Sequence, residues 1–183
     1  SQKSLMFCSR PEYLDLLKDV GADIIEQTGN HLVDWRRSAL PESLEMYAEA
    51  GMLTYGAGNT LEEARQPVFV EHNGNRLAFL GCNAAGPEMV WATETLPGTA
   101  ACDYEWMKSE ITRLRRAACH PSLVAPELNL SGAKLEHLLE LVAELKENRH
   151  RALVFSQFVD YLALVRTAFD RAGISYQYLD GST

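Results

Sequence analysis

Twice in the first 60 residues a helix-like stretch is halted by glycine and followed at once by a short apolar run, an alternation that restricts this part of the chain to the α/β class. In the first case Ser9-Arg10-Pro11 opens EYLDLLKDVG, with proline in the first turn, an apolar stripe at Tyr13, Leu16, Leu17 and Val20, and Gly21 as the stop. Residues 22–28 (ADIIEQT) then read as a strand that ends at the turn signal Gly29-Asn30. In the second case SALPESLEMYAEAG, capped by Ser38, leads into Met52 to Tyr55 as a strand. Loops at the C-terminal ends of such strands are where open α/β sheets collect ligands, because helix N-termini and turning amides converge there.

Further along, residues 67–71 and 76–82 flank His72-Asn73-Gly74-Asn75, and Asn-Gly between two apolar runs predicts an antiparallel hairpin. Residues 84–102, with two glycines and two prolines, read as a long surface loop. Asp103 starts a helix that runs to about residue 118, where His120-Pro121 ends it. Residues 134–148 form an amphipathic helix with Leu135, Leu138, Leu139, Val142 and Leu145 on one stripe. Strand RALVF, helix VDYLALVRTAFDRAG and strand ISYQYL follow, an order that predicts a βαβ unit with a parallel pair.

Charge divides the chain in the same place as the pattern. Of the net charge of −8, all lies in residues 1–113, with 9 Lys and Arg against 17 Asp and Glu; residues 114–183 hold 8 of each. An acidic first half is a poor binder of polyanions, since phosphate affinity rests on lysine and arginine. The apolar runs fall short of the roughly 18 residues a membrane helix needs, so no membrane partner is expected. The N-terminal SQKSLMFCSRPE shows no export signal, which makes cytoplasm the expected setting. Cys8, Cys82, Cys102 and Cys119 are scattered without a C-x-x-C pair, and the expectation is four unengaged thiols. Trp91, Tyr104 and Trp106 are expected to anchor the core and loops.

Gly29-Asn30-His31 with Asp34 is the best candidate site in the first half. An asparagine oxygen can ligate a hard divalent cation, and a neighbouring histidine can give a proton to a leaving oxygen. The same residues also suit a tight turn, with glycine and asparagine supplying the backbone angles. The segments GADIIEQTGNHLVDW, GMLTYGAGNTLEEARQPVFVEHNGNRLAFLGCN and WATETLPGTAACDYEWMKSEI, in this order, resemble the CapA-like poly-γ-glutamate biosynthesis proteins among the calcineurin-like metallophosphoesterases. The resemblance spans residues 4–111. It implies Asn30 as a metal ligand, His31 as the catalytic acid and Asp34 as its orienting partner, with manganese or magnesium as the cofactor class. It also implies further Asp and His ligands on strands before and after this segment, which the chain does not match. Two divalent ions need several carboxylate and imidazole ligands, and one asparagine with one histidine cannot hold them.

In the second half, ITRLRRAACHPSLV, SGAKLEHLLELVAEL, RALVFSQFVDYLALVRTAF and ISYQYLDGST resemble the second RecA-like lobe of the Swi/Snf-type remodelling ATPases, over residues 111–183. That resemblance implies Ser156 and Gln157 near a nucleic-acid track and Gly181 and Ser182 on a loop that approaches phosphate. Arg115 and Arg116 form a short basic cluster able to touch the same backbone, so DNA is a weak expected partner. No G-x-x-x-x-G-K-[ST] occurs, and ATP is not expected as a cofactor.

The sequence thus describes two partial α/β modules, residues 1–113 and 114–183, joined through one shared helix, the second being a parallel βαβ half-lobe. The expectation is a composite without catalysis of its own, self-associating through exposed sheet edges. The alternatives are a weak metal-dependent phosphoesterase at Asn30 and His31, and a DNA-binding segment around Arg115 and Arg116.

Overall fold

A computed structural model describes residues 6–180 as a mixed α/β chain. It divides into two compact units between Asp103 and Tyr104. No helix among the described residues is long and apolar enough to cross a membrane.

The first unit begins with a 3-10 turn at Pro11–Tyr13 that runs into α1 (Leu14–Asp19). Gly21, at φ +70°, ends it, in the left-handed region that glycine enters without a Cβ clash. The expected apolar stripe of this helix is not covered: Leu16 and Val20 are 59% and 77% exposed. Strand β1 (Ile24–Glu26) follows, then α2 (Ala39–Glu49) and β2 (Leu53–Tyr55). The two strands are parallel, with Ile24 opposite Leu53 and Glu26 opposite Tyr55, so β1-α2-β2 is the βαβ unit of this protein. Ser38 does occupy the N-cap of α2, yet its side chain makes no capping bond because its backbone is already helical.

Beyond β2 come β3 (Ala57–Gly58), α3 (Leu61–Ala64), capped by Thr60, and the hairpin β4 (Val68–His72) and β5 (Asn75–Phe79). The hairpin forms as the Asn-Gly signal predicts. Asn73 and Gly74 take φ of +49° and +75°, the sign that a tight two-residue turn needs at both positions.

Residues 84–102 differ from the surface loop expected of them. They contain β6 (Gly98–Thr99), antiparallel to β3, and bury Val90, Ala92, Thr99 and Ala100. Val90 completes a core cluster with Val33, Leu40 and Ala57, flanked by Leu32, Leu44 and Trp91. A segment of small residues without periodicity can still be structured when its backbone bonds find partners elsewhere, and here Ala100 N donates to Gly56 O at 2.9 Å.

The second unit opens with α4 (Tyr104–Cys119), continues through short 3-10 turns at Pro121–Leu123 and Pro126–Leu128, and adds α5 (Ala133–Glu147) and α6 (Val159–Arg171). Buried His120 joins these pieces. Its Nδ1 accepts from Ser122 N at 3.2 Å, and its ring lies so close to Gly132 that no β-carbon fits there. Val165 and Phe169 are the buried side chains of α6, and Phe169 meets Tyr176 edge-on at 5.8 Å between ring centres.

The parallel βαβ half-lobe expected here forms only its helix. Neither 151–155 nor 174–179 is in a hydrogen-bonded strand. Parallel strands are stable where both faces are covered, and here Leu153 and Phe155 on one face are 85% and 86% exposed while Val154 on the other is 37% exposed, so the segment lacks the cover that would hold it in a sheet. Tyr104 is likewise 75% exposed and anchors no core.

Candidate functional site

The turn after β1 carries the first group of candidate residues. Asn30 and His31 are exposed and Asp34 is half-buried. His31 Nδ1 lies 2.7 Å from Asp34 Oδ2, and the same oxygen accepts the Phe7 backbone amide at 3.0 Å. With an ionised carboxylate as acceptor, Nδ1 carries the proton, which leaves Nε2 as the ring atom able to take or give one. The Phe7 ring meets the imidazole edge-on at 4.7 Å. The Phe7 amide, with His31 adding to it, holds the Asp34 carboxyl below its ordinary range. Asp34 thus bonds His31 and also fastens the segment before α1.

Close backbone packing puts this turn at the convergent ends of β1, β2 and β5. A β-carbon on Gly81 would lie 2.8 Å from Thr28 Cγ2 and 3.0 Å from the Tyr55 ring, so a side chain at this position would force the strand ends apart. Burial and the nearby Glu26 push the Tyr55 hydroxyl up. Gly86 comes against Asn30 itself, where an added β-carbon would lie 3.1 Å from Asn30 Cβ. Residues 84–102 are thus one wall of the turn.

Two fasteners of that wall escaped the sequence reading. Arg37 donates from one guanidinium nitrogen to Trp91 O at 2.9 Å and Pro97 O at 2.7 Å, and from the other to Met89 O. Nothing in Trp35-Arg36-Arg37 distinguishes this arginine from its neighbour; only the fold brings the three carbonyls to it. The second fastener corrects the expectation of four unengaged thiols: Cys82 and Cys102 form a disulfide, with Cα atoms 4.9 Å apart, while Cys8 and Cys119 are free. Spacing alone cannot reveal such a pair, because β5 and the return from β6 deliver the two cysteines from sequence positions 20 apart.

The residues around Asn30 do not fit a two-metal centre. Asn30 lies against Gly86, and the adjacent His31 is already bonded to Asp34 and packed on the Phe7 ring. Among the described residues no group of three or more His, Cys, Asp or Glu side chains could hold a metal ion. His72 bonds only its neighbour Asn73 in the hairpin turn and is remote in role from this group.

In the second unit, the fold brings together four of the six residues proposed to meet nucleic acid. Arg115 donates to Gln157 Oε1 at 2.6 Å, and both Arg115 and Arg116 lie about 6 Å from the Phe158 ring centre, at 5.9 and 6.0 Å. Arg116 also donates to Leu123 O at 3.0 Å and pairs with Asp160 at 2.5 Å. The Arg116 bond keeps the Asp160 carboxyl below its ordinary range. Ser156 Oγ accepts the Phe158 amide at 3.0 Å, a local turn at the entrance to α6. These bonds engage donors of Arg115, Arg116 and Ser156, and Asp160 offsets the Arg116 charge, groups that a phosphate contact would use. Gly181 and Ser182 lie outside the described residues.

The parallel β1-α2-β2 unit, with a Gly-Asn-His turn after β1, defines a protein of the α/β class. The family described as "Bacterial capsule synthesis protein PGA_cap" matches residues 1–157, and the chain belongs to that family. The match continues past Arg113 and through α5. Capsule biosynthesis protein CapA of Bacillus anthracis is 22% identical over 115 residues, 63% of this chain and 28% of that protein. PGA biosynthesis protein CapA of Bacillus subtilis is 23% identical over 119 residues, covering 64% of this chain and 31% of its own length. A separate likeness is to protein CHROMATIN REMODELING 19 of Arabidopsis thaliana, 41% identical over 51 residues, 28% of this chain and 7% of that one. The chain therefore spans less than a third of each of these relatives, and it is similar to CapA proteins in one part and to Swi/Snf-type remodellers in another.

Proposed function

We propose that this chain is a composite protein, a CapA-like segment continued by a Swi/Snf-type helicase-like segment, without catalytic activity of its own. The observation that supports this reading is the use made of Asp34. Its Oδ2 is shared between His31 Nδ1 and the Phe7 amide, so the pair that the family resemblance assigns to chemistry serves to fasten the segment before β1 to the turn after it. Self-association through the exposed extended segments at Leu153, Phe155 and Leu179 belongs to the same reading.

A second reading is favoured by the same pair seen as chemistry. An aspartate 2.7 Å from Nδ1 fixes the imidazole tautomer, the arrangement a proton donor needs, and would suit a weak metal-dependent phosphoesterase related to capsule polymer synthesis. Hydrolysis of a generic phosphodiester, measured with and without manganese for the chain and for His31→Ala, separates the two. The composite reading expects identical rates for both chains. A manganese-dependent rate that His31→Ala abolishes overturns it and establishes the second.

A further inference from the structure

The Cys82–Cys102 disulfide closes residues 83–101 into a ring, and this ring is the wall that meets Asn30. The bond sits at the end of a short ladder: Asn83 N donates to Ala100 O at 2.7 Å and Cys102 N to Asn83 O at 3.0 Å. From there the ring carries Val90 into the core and Gly86 against the turn. Cys102 is exposed and Cys82 half-buried, so a small dithiol can reach the sulfurs.

We infer that Cys82–Cys102 is a redox-dependent clasp that holds the 83–101 wall closed over the Asn30–Asp34 turn. In opening, a dithiol attacks one sulfur as thiolate. The S–S bond breaks, the second thiol of the reagent completes the exchange, and two electrons and two protons pass to give Cys82 and Cys102 as thiols and the reagent as a disulfide. Closing is the reverse exchange with a disulfide-bearing oxidant. Such bonds persist in oxidising compartments and are rare where glutathione and thioredoxin keep thiols reduced. In a reducing compartment the wall would lose this fastener and be held by Arg37, Val90 and the β3–β6 bonds.

The clasp goes beyond either reading of function, since its test involves no catalysis. Denatured without reductant and alkylated with iodoacetamide, the chain should carry two adducts, on Cys8 and Cys119, and after dithiothreitol four. Glu-C proteolysis of the native chain reads the wall, because Glu88 and Glu94 lie in it, exposed, while Glu136 and Glu147 report on α5. A cross-link closing a loop of this size suppresses its open population by about a hundredfold on chain-entropy grounds. With Arg37 and Val90 still in place, dithiothreitol should speed cleavage at Glu88 and Glu94 by roughly tenfold relative to α5. The Cys82→Ala/Cys102→Ala chain should be cut at the fast rate with or without reductant. Four adducts in the unreduced chain, an unchanged cleavage ratio, or an equal acceleration in α5 would each overturn the inference, and the wild-type titration decides it even if the double variant fails to fold.

Discussion

The two units of this protein are built from similar proportions of apolar residues and end up held in different ways. The first is fastened from several directions at once: a buried cluster around Leu40, the Arg37 guanidinium on three carbonyls, a disulfide, and glycines at which strand ends meet. The second is a set of helices joined by short turns, with Val165, Phe169 and His120 buried and Leu153, Phe155 and Leu179 open to solvent. The contrast teaches that apolar content does not make a core. What matters is whether neighbouring elements exist on both faces of each segment.

The contrast can be broken first at Leu40, which is 2% exposed. Leu40→Ala should lower the stability of the first unit by about 2–5 kcal/mol in urea denaturation followed by Trp91 fluorescence. A loss below about 1 kcal/mol would mean that the cluster is not the seat of that unit's stability.

A smaller effect should appear in acid. Asp34 and Asp160 both have folded-state pKa values below the ordinary 3.8, so their contributions are complete above that value and are lost as pH falls through the lowered folded values. Asp34→Asn should therefore flatten the acid limb of the first unit, and Asp160→Asn that of the second, with little change at pH 7 beyond the loss of one exposed pair. Circular dichroism between pH 2 and 5 checks both. An acid limb unchanged by either substitution would remove the electrostatic part of the comparison.

The smallest effect is expected at the open segment. Leu153→Ser and Phe155→Ser should each change stability by under about 0.5 kcal/mol, since neither side chain is covered. A loss above about 1 kcal/mol that depends on protein concentration would instead mean that self-association covers them.

Much of this architecture could be read from the residues in order. The Gly21 stop, the β-branched Ile24-Ile25 strand, the Asn73-Gly74 hairpin and the stripe of α5 are all local choices, decided by backbone freedom and by periodicities of two and 3.6 within a few residues. Asp34 as a partner of His31 is what the family resemblance implies and not what the pattern shows, although the two lie three residues apart in one turn.

What only the tertiary structure decided lies in contacts between distant parts of the chain. Residues 84–102 carry no periodicity, yet Val90, Ala92, Thr99 and Ala100 are buried because β3 and Arg37 supply partners for the backbone around them. Cys82 meets Cys102, and Phe7 reaches Asp34, through chain paths that spacing does not encode. The segments 151–155 and 174–179 have the composition of strands and are not strands here. A strand takes its hydrogen bonds from its neighbours, so apolar and β-branched residues can favour the extended backbone without supplying the partner that makes it a sheet.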